Sequence, residues 1–91
     1  MTTLHIVSCS PFSSDSLQRC LSLLAEGDSL LFIENGVYIL NSSVQLPSTI
    51  ACYLLEEDLL ARGLQANALP TANYADFVRL VCEHDNSISW T

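Results

Sequence analysis

The stretch that decides the fold is Ser29-Leu30-Leu31-Phe32-Ile33, which is apolar after its first residue. A continuous apolar run of this length is typical of a strand that is buried on both faces of a sheet. Ile50 to Leu55 is a second such run, and the polar segment Ser42 to Ser48 lies between the two. Leu4 to Val7 is a shorter run that precedes both. We therefore expect three strands, two of them covered on both faces.

A helix is expected between the first two of these runs. Its apolar positions recur at i, i+3, i+4 and i+7, and they are Leu17, Cys20, Leu21 and Leu24. Ser13 or Ser14 is suited to the N-cap, and Asp15 falls in the first turn, where the helix dipole favours a negative charge. Gly27 is expected to end this helix, because glycine tolerates the left-handed backbone that follows many helices.

A short helix is expected directly after the run Ile50 to Leu55. Glu56-Glu57-Asp58 places three acids at the positive end of the helix dipole, Leu59 to Arg62 continues the helix, and Gly63 ends it. We interpret the three acids as a solvent-exposed helix start. A paired-carboxylate site is the alternative.

The last part of the chain predicts a loop, a helix and a short extended segment. Gln65 to Pro70 is interpreted as loop, and Asn73 as the N-cap of the last helix. The apolar face of that helix, which we expect to point inward, consists of Tyr74, Phe77, Val78, Val81 and Cys82. Ile88 to Trp90 is short enough to be an edge strand or a docked segment.

Strands that alternate with helices at short intervals predict an α/β domain. Such a pattern indicates a mostly parallel sheet with helices on its faces. The dipeptide Asn35-Gly36 leaves one local question open. By local rules it signals a hairpin that returns through Val37 to Leu40, and the alternative is a turn into a short helix.

The composition limits the classes of partner. The 91 residues suffice for one domain, and three arginines against ten acidic residues give a formal net charge of −7. The chain lacks the cations that contact phosphates, which argues against direct binding to nucleic acid or to an anionic membrane. Only 14% of the residues are charged, against about 25% in an average domain. We therefore expect other subunits to cover part of the surface.

Two features predict a cytoplasmic location. The first basic residue is Arg19, whereas a secretory signal begins with positive charge. The longest apolar stretch, Ile50 to Leu55, is much shorter than the roughly 18 residues of a membrane span.

The cysteines and histidines do not have the spacing of a metal site. No two cysteines form a C-x-x-C pair, and His5 and His84 add no ligand pattern. In a cytoplasmic chain we expect the cysteines to be thiols rather than a disulfide framework. His5 lies within a strand and is interpreted as a hydrogen-bonded structural histidine.

Each cysteine is either a small core residue or a reactive thiol. Cys52 lies within an apolar strand and is expected in the core, and Cys82 is expected in the core or at its rim. Cys9 follows the first strand, at the end where open α/β sheets place their sites. Cys20 belongs to the apolar face of the first helix, a pattern that favours a small hydrophobic residue over a reactive thiol.

Two motifs are more distinctive than the rest of the sequence: the E-D-L-x-A-R-G-L run from Glu57 to Leu64 and the Y-x-D-F-V run from Tyr74 to Val78. With them the chain resembles the DsrH/TusB family, the smallest members of the DsrE-like sulfur-relay proteins. Further matching stretches, in family order and spacing, are Leu4-His5, Ser10-Pro11-Phe12, Ser16-Leu17, Cys20-Leu21, Glu26 to Leu31, Asn35-Gly36-Val37 and Trp90.

The resemblance implies a DsrE-like three-layer fold, with a mostly parallel sheet of four or five strands, over residues 1–91 as a single domain. It favours the short helix after Asn35-Gly36 over the hairpin. It also implies a heterohexamer with two homologous subunits, one TusC/DsrF-like and one TusD/DsrE-like, and a downstream TusE/DsrC-like sulfur acceptor. Alone, the chain is expected to form a homodimer.

The activity implied by the resemblance is persulfide transfer between protein thiols, by a carrier subunit rather than a stand-alone enzyme. The first choice of pathway is 2-thiolation of the tRNA wobble uridine. The alternatives are the same relay in dissimilatory sulfur oxidation and a purely structural, non-catalytic subunit. Cys20 stands where the sulfur-oxidising members have a cysteine, which makes it the candidate persulfide carrier. No metal, organic cofactor or direct nucleic-acid contact is implied.

Overall fold

Strands and helices alternate along the chain. The computed structural model describes residues 2–66 and 69–91. Its elements are β1 (Thr3–Val7), α1 (Ser16–Ser22), β2 (Ser29–Phe32), a 3-10 helix (Glu34–Asn41), β3 (Ala51–Leu55), α2 (Glu56–Ala61), β4 (Thr71–Ala72), α3 (Tyr74–Glu83) and β5 (Asn86–Trp90). The five strands described form one sheet in the order β4-β3-β2-β1-β5, and every pair in it is parallel. The predicted α/β class with a mostly parallel sheet is confirmed.

The buried apolar runs form the centre of the sheet, as predicted. All four residues of β2 are buried, and β2 pairs with β1 on one side and with β3 on the other. Side chains of a strand alternate between the faces, so a strand with helices on both sides has to be apolar throughout. The tail is an edge strand, since β5 pairs with β1 from Asn86 to Trp90.

The two faces of the sheet are covered unequally. On one face, α1, the 3-10 helix and α2 enclose a core cluster that includes Leu17, Cys20, Val37 and Leu59. On the other face, α3 is the one described helix that packs against a smaller cluster, to which it contributes Leu80 and the partly buried Phe77. Connections between parallel strands are right-handed. The chain adds β2, β3 and β4 in one direction and then returns past β1 to β5, so the helix before β5 lies on the opposite face.

The first helix is shorter than predicted. It spans Ser16–Ser22, with Asp15 rather than a serine at the N-cap position, and no side chain caps it. The Oγ of Ser14 instead accepts a hydrogen bond from the N–H of Ser16 at 3.1 Å. The helix ends well before Gly27, which lies with φ +90° in the turn ahead of β2. Leu24, which the apolar pattern placed in the helix, packs against the core from this connection.

Asn35-Gly36 starts a helix and not a hairpin, as the family resemblance implied. The 3-10 helix Glu34–Asn41 begins where β2 ends, close to the backbone of β1. A Cβ at Gly36 would lie 2.2 Å from the carbonyl oxygen of Val7. Only glycine fits so close to the backbone of β1. Tertiary packing imposes this contact, and local turn rules, which consider only adjacent residues, do not predict it.

The second half of the chain follows the predicted order. Helix α2 begins at Glu56, and Gly63 follows it with φ +65°. Asn73 caps α3 in a capping box with Asp76, which confirms the predicted N-cap. The predicted loop from Gln65 to Pro70 includes residues 67 and 68, which lie outside the described residues, and the two-residue strand β4 after it was not predicted.

Candidate functional site

Cys20, the candidate persulfide carrier, lies in the core. Its side chain points from α1 toward the sheet and has 0% of its surface exposed. Burial, with a smaller contribution from the negative charge of Asp28, raises the pKa of this thiol from 9.0 to about 12. The thiol is therefore neutral at physiological pH, and it lacks the exposed, electropositive setting of a reactive cysteine. In this conformation a partner's persulfide does not reach it.

The other cysteines differ widely in exposure. Cys52 is buried in β3, its pKa is raised by that burial, and its Sγ donates to the carbonyl of Ile50 at 3.4 Å, as predicted for a core residue. Cys9 is half-buried after β1, with its Sγ 3.9 Å from the carbonyl oxygen of Trp90. Cys82 is exposed, so its expected place in the core or at its rim was wrong.

His5 is a structural histidine with partners on both ring nitrogens, as predicted. It is 3% exposed; its Nε2 lies 3.1 Å from Oδ2 of Asp28, and its Nδ1 accepts from the indole N–H of Trp90 at 3.1 Å. The two rings are stacked with their centroids 6.2 Å apart. Sequence reasoning missed Asp28 and Trp90 as partners, because they are far from His5 along the chain.

Asp28 is a buried carboxylate whose charge is balanced by hydrogen bonds. It accepts from the backbone N–H groups of Ala25 and Thr3 and from the His5 ring. Burial acts to raise the pKa of this carboxyl, but these hydrogen bonds outweigh it, and the pKa is lowered from 3.8. The group joins the start of β1 to the turn before β2. Its signals in the sequence were its position directly after Gly27 and its place in the family-matching stretch Glu26 to Leu31.

The acids at the start of α2 connect secondary-structure elements. The Oδ2 of Asp58 accepts from the N–H of Glu34 at 2.7 Å, and its Oδ1 is 3.5 Å from a nitrogen of Arg62. Arg62 also donates twice to Oδ1 of Asn35. The expectation of a solvent-exposed helix start was therefore wrong for Asp58. The distinctive E-D-L-x-A-R-G-L motif holds α2 against the start of the 3-10 helix.

Glu57 is the second half-buried acid of this segment. Its Oε2 accepts from the N–H of Tyr74 at 3.3 Å, and its Oε1 has no hydrogen-bond partner among the described atoms. Glu57 thus joins α2 to the start of α3. The paired-carboxylate alternative has no support here, because each acid is used to connect backbone segments.

A group of neighbouring apolar side chains is exposed on α3. We call it the α3 ridge, and it consists of Tyr74, Phe77, Val78, Val81 and Cys82. Val78 is 64% exposed and Tyr74 is 57% exposed, while Leu80 is the buried residue of the helix. The prediction that this apolar face points inward was therefore wrong for Tyr74, Val78, Val81 and Cys82, whereas Phe77 is partly buried and packs against the core. The helix has apolar residues over more than half its circumference, so one part contacts the sheet and the rest remains uncovered.

The distribution of apolar residues along α3 indicated that part of this helix would remain exposed. Leu80 lies outside the i, i+3, i+4 series that starts at Tyr74, so the apolar arc of α3 is wider than one contact with a sheet requires. A wide arc on a surface helix indicates a second partner.

Neither a metal site nor a membrane-spanning helix is present among the described residues. Among residues 2–66 and 69–91, no three His, Cys, Asp or Glu side chains are grouped so that they could hold a metal ion. The described helices are all too short or too polar to cross a bilayer.

The fold and these surfaces define a small parallel α/β protein in which His5, Cys20 and Cys52 are buried and one face of a helix is left uncovered by the described residues. A family model described as DsrH like protein matches residues 9–87, and the chain belongs to this family.

Relatives match over nearly the full length. Protein TusB of Escherichia coli (strain SMS-3-5 / SECEC) is 38% identical over 95 residues, covering 96% of this chain and 99% of the relative. Protein TusB of Erwinia tasmaniensis has the same identity and coverage. Among solved structures, Protein Tm0979 from Thermotoga maritima, determined by solution NMR, has a TM-score of 0.68 at 23% identity and covers 89% of this chain and 92% of that one. That likeness supports the fold.

Proposed function

We propose that this chain is a subunit of a TusBCD/DsrEFH-like sulfur-relay complex that delivers persulfide sulfur for 2-thiolation of the tRNA wobble uridine. Its membership of the DsrH family and its identity to proteins named TusB support the relay and this branch of it. The net charge of −7 fits a role that is exerted through protein partners and not through direct contact with RNA.

The observation that carries the proposal is the uncovered α3 ridge. A small protein rarely exposes neighbouring large apolar side chains unless another protein covers them. The ridge carries no charged residue, and the charges of α3 lie on its other side, where Arg79 pairs with Asp76 and Glu83. The proposed partners are the TusC/DsrF-like and TusD/DsrE-like subunits of a heterohexamer, which passes sulfur to a TusE/DsrC-like acceptor.

Two roles for this chain within the complex follow. In the first, favoured by the burial of Cys20, the chain assembles and positions its partners, and their thiols carry the sulfur. In the second, Cys20 is itself a persulfide carrier, and α1 has to move away from the sheet before the thiol reacts. The buried position and the raised pKa of Cys20 oppose the second role in the conformation described.

Assembly is tested by co-expression with the two homologous subunits from the same genome. Light scattering should give a particle of six chains. Val78→Arg should reduce the assembly, whereas Leu23→Arg should not, because both side chains are 64% exposed but only Val78 belongs to the ridge. A chain that remains monomeric beside both partners, or equal assembly by the two variants, would contradict the proposal.

Sulfur transfer is tested on the assembled complex. A cysteine desulfurase loads the complex, and mass spectrometry follows the added sulfur (about 32 Da) to the acceptor protein. Retained transfer in Cys20→Ser supports the assembly role, and lost transfer with intact assembly supports the carrier role. Dissimilatory sulfite reductase genes next to this gene would instead favour the branch of sulfur oxidation.

A further inference from the structure

Strand β5 forms one edge of the sheet, and no described strand pairs with its outer side. The sheet order places β5 at this edge and β4 at the other. The strand β4 has two residues, whereas β5 has five, from Asn86 to Trp90, and pairs with β1 in an unbroken register. The first four residues of β5 are exposed. A long exposed edge strand offers a row of backbone groups to another strand.

The hydrogen bonds to the β1 side define which backbone groups of β5 point outward. The N–H of Asn86 and the carbonyl of Trp90, at the two ends of β5, both bond to the backbone on the β1 side at 3.1 Å. In a parallel pair, alternate residues direct their backbone groups to the same neighbour. Ile88 therefore also bonds toward β1. Ser87 and Ser89 direct their N–H and C=O groups to the outer side, so four backbone groups are presented there.

The features that usually protect an edge strand are missing from β5. Its sequence from Asn86 to Trp90 contains no proline and no charged residue. Natural sheets use such residues, and bulges, to prevent pairing at an exposed edge. The central residue of β5 is instead apolar, since Ile88 is 44% exposed. This edge is therefore suited to pairing with a further strand.

The sequence of this edge is complementary to itself. Ser87 and Ser89 are symmetrical about Ile88. In an antiparallel pair of two copies centred on Ile88, Ser87 of one copy lies opposite Ser89 of the other, and each such pair exchanges two N–H to C=O bonds. Four bonds thus use all the outward groups of both copies. The two Ile88 side chains face each other at the centre, where Cα atoms are about 4.5 Å apart.

The charges near the edge allow two copies to approach. Each chain has a net charge of −7, so their contact has to keep the acids apart. Asp85 is the acid next to β5, and in this register the two Asp85 carboxylates lie at opposite ends of the paired strands, about 20 Å apart. The carbonyl of Thr91 bonds the hydroxyl of Ser16 at 3.0 Å, which turns this end of the chain toward α1. No like charges on β5 itself face each other.

We propose that two copies of this chain pair through β5, antiparallel and centred on Ile88, so that their sheets continue into one another. The contact follows a closed twofold symmetry. It is separate from the α3 ridge, and it does not depend on the proposed function. Five residues on each side bury less surface than a standard stable interface, so the dimer should be weak and should be measured at high concentration.

Sedimentation equilibrium of the chain alone tests the pairing. At concentrations up to about 1 mM, the chain should show a reversible equilibrium between monomer and dimer. Ile88→Lys and Ile88→Glu should each weaken the dimer at least about tenfold, because like charges would face each other. An equimolar mixture of the two variants should restore it, since position 88 faces itself across the twofold axis. Val78→Arg, on the α3 ridge, is the matched control and should leave the dimer unchanged.

Two outcomes of this experiment would overturn the proposal. One is a chain that remains monomeric at about 1 mM, which would leave the edge to another protein or to solvent. The other is a dimer that Val78→Arg weakens as strongly as Ile88→Lys, which would place the contact on the α3 ridge. The proposed function is tested separately, by assembly with the homologous subunits.

Cross-linking tests the register in variants without a charge change. The background is Cys82→Ser, which removes the exposed native thiol. Ile88→Cys should form an intermolecular disulfide with oxidised glutathione, because its Cα atoms are about 4.5 Å apart. Ser87→Cys alone should not, since its copy lies diagonally, about 7 to 8 Å away, but a mixture with Ser89→Cys should. Equal cross-linking of Ser87→Cys and Ile88→Cys, each alone, would contradict the register.

Discussion

Cys20 should react far more slowly in the folded chain than in the unfolded chain. The pKa of about 12, against an ordinary value of 9.0, lowers the thiolate fraction about 1,000-fold at neutral pH. A thiolate of higher pKa is intrinsically more nucleophilic, which restores about 16- to 32-fold in exchange with a disulfide. Ionisation alone therefore slows Cys20 about 30- to 60-fold. Reaction after α1 opens is the alternative route: it restores the ordinary pKa, and it is slowed by the free energy of opening, about tenfold for each 1.4 kcal/mol.

The assay uses a variant that retains only Cys20 and a matched variant that retains only Cys82. Each is mixed with a small aromatic disulfide at pH 7.5, once folded and once in denaturant, and the released thiol is followed by absorbance. Cys20 should show a ratio of unfolded to folded rate above about 30, whereas exposed Cys82 should show a ratio of a few.

A ratio near one for Cys20 would refute the argument. It would mean that α1 opens readily and that the thiol is ionised more easily than its burial implies. The carrier role of Cys20 would then become the favoured one, and the same assay repeated with the assembled partners would show whether they open α1.

Two further predictions concern stability, measured by urea unfolding. Gly36→Ala should lower the free energy of unfolding by at least about 2 kcal/mol, because its Cβ would overlap the carbonyl oxygen of Val7 at 2.2 Å. The control Gly63→Ala meets no atom within 4 Å and should cost about 1 kcal/mol, because its φ is +65°. Equal losses in the two variants would contradict the close approach at Gly36. The pKa of Asp28 is lowered, so its contribution is complete above the unfolded value of 3.8 and is lost as the pH falls toward its lower folded value. Asp28→Asn should therefore be less stable at pH 6 and lose less stability between pH 5 and pH 3, and parallel pH profiles of wild type and variant would contradict it.

Family membership and the order of strands and helices could be predicted from the sequence. The apolar runs of β2 and β3 are continuous because both faces of a central parallel strand are covered. Such a strand must be apolar at successive positions, and this pattern can be recognised in the sequence. The N-cap at Asn73 was also predictable, since capping depends on a few adjacent residues. Helix α1 was predicted too long, because apolar residues after its end pack on the core from a connection and imitate another helical turn.

The sequence by itself determined what depends on neighbouring residues: the apolar strands, the cap of α3, the acidic charge and the family motifs. The tertiary structure decided what depends on distant residues. It buried Cys20 under α1, brought Asp28 and Trp90 to His5, and left the α3 ridge uncovered on the face that one helix occupies alone. The physical reason is that a hydrophobic pattern indicates only which side chains are apolar. The direction of each crossover connection decides which face of the sheet a helix covers, and therefore how much of that helix the sheet buries.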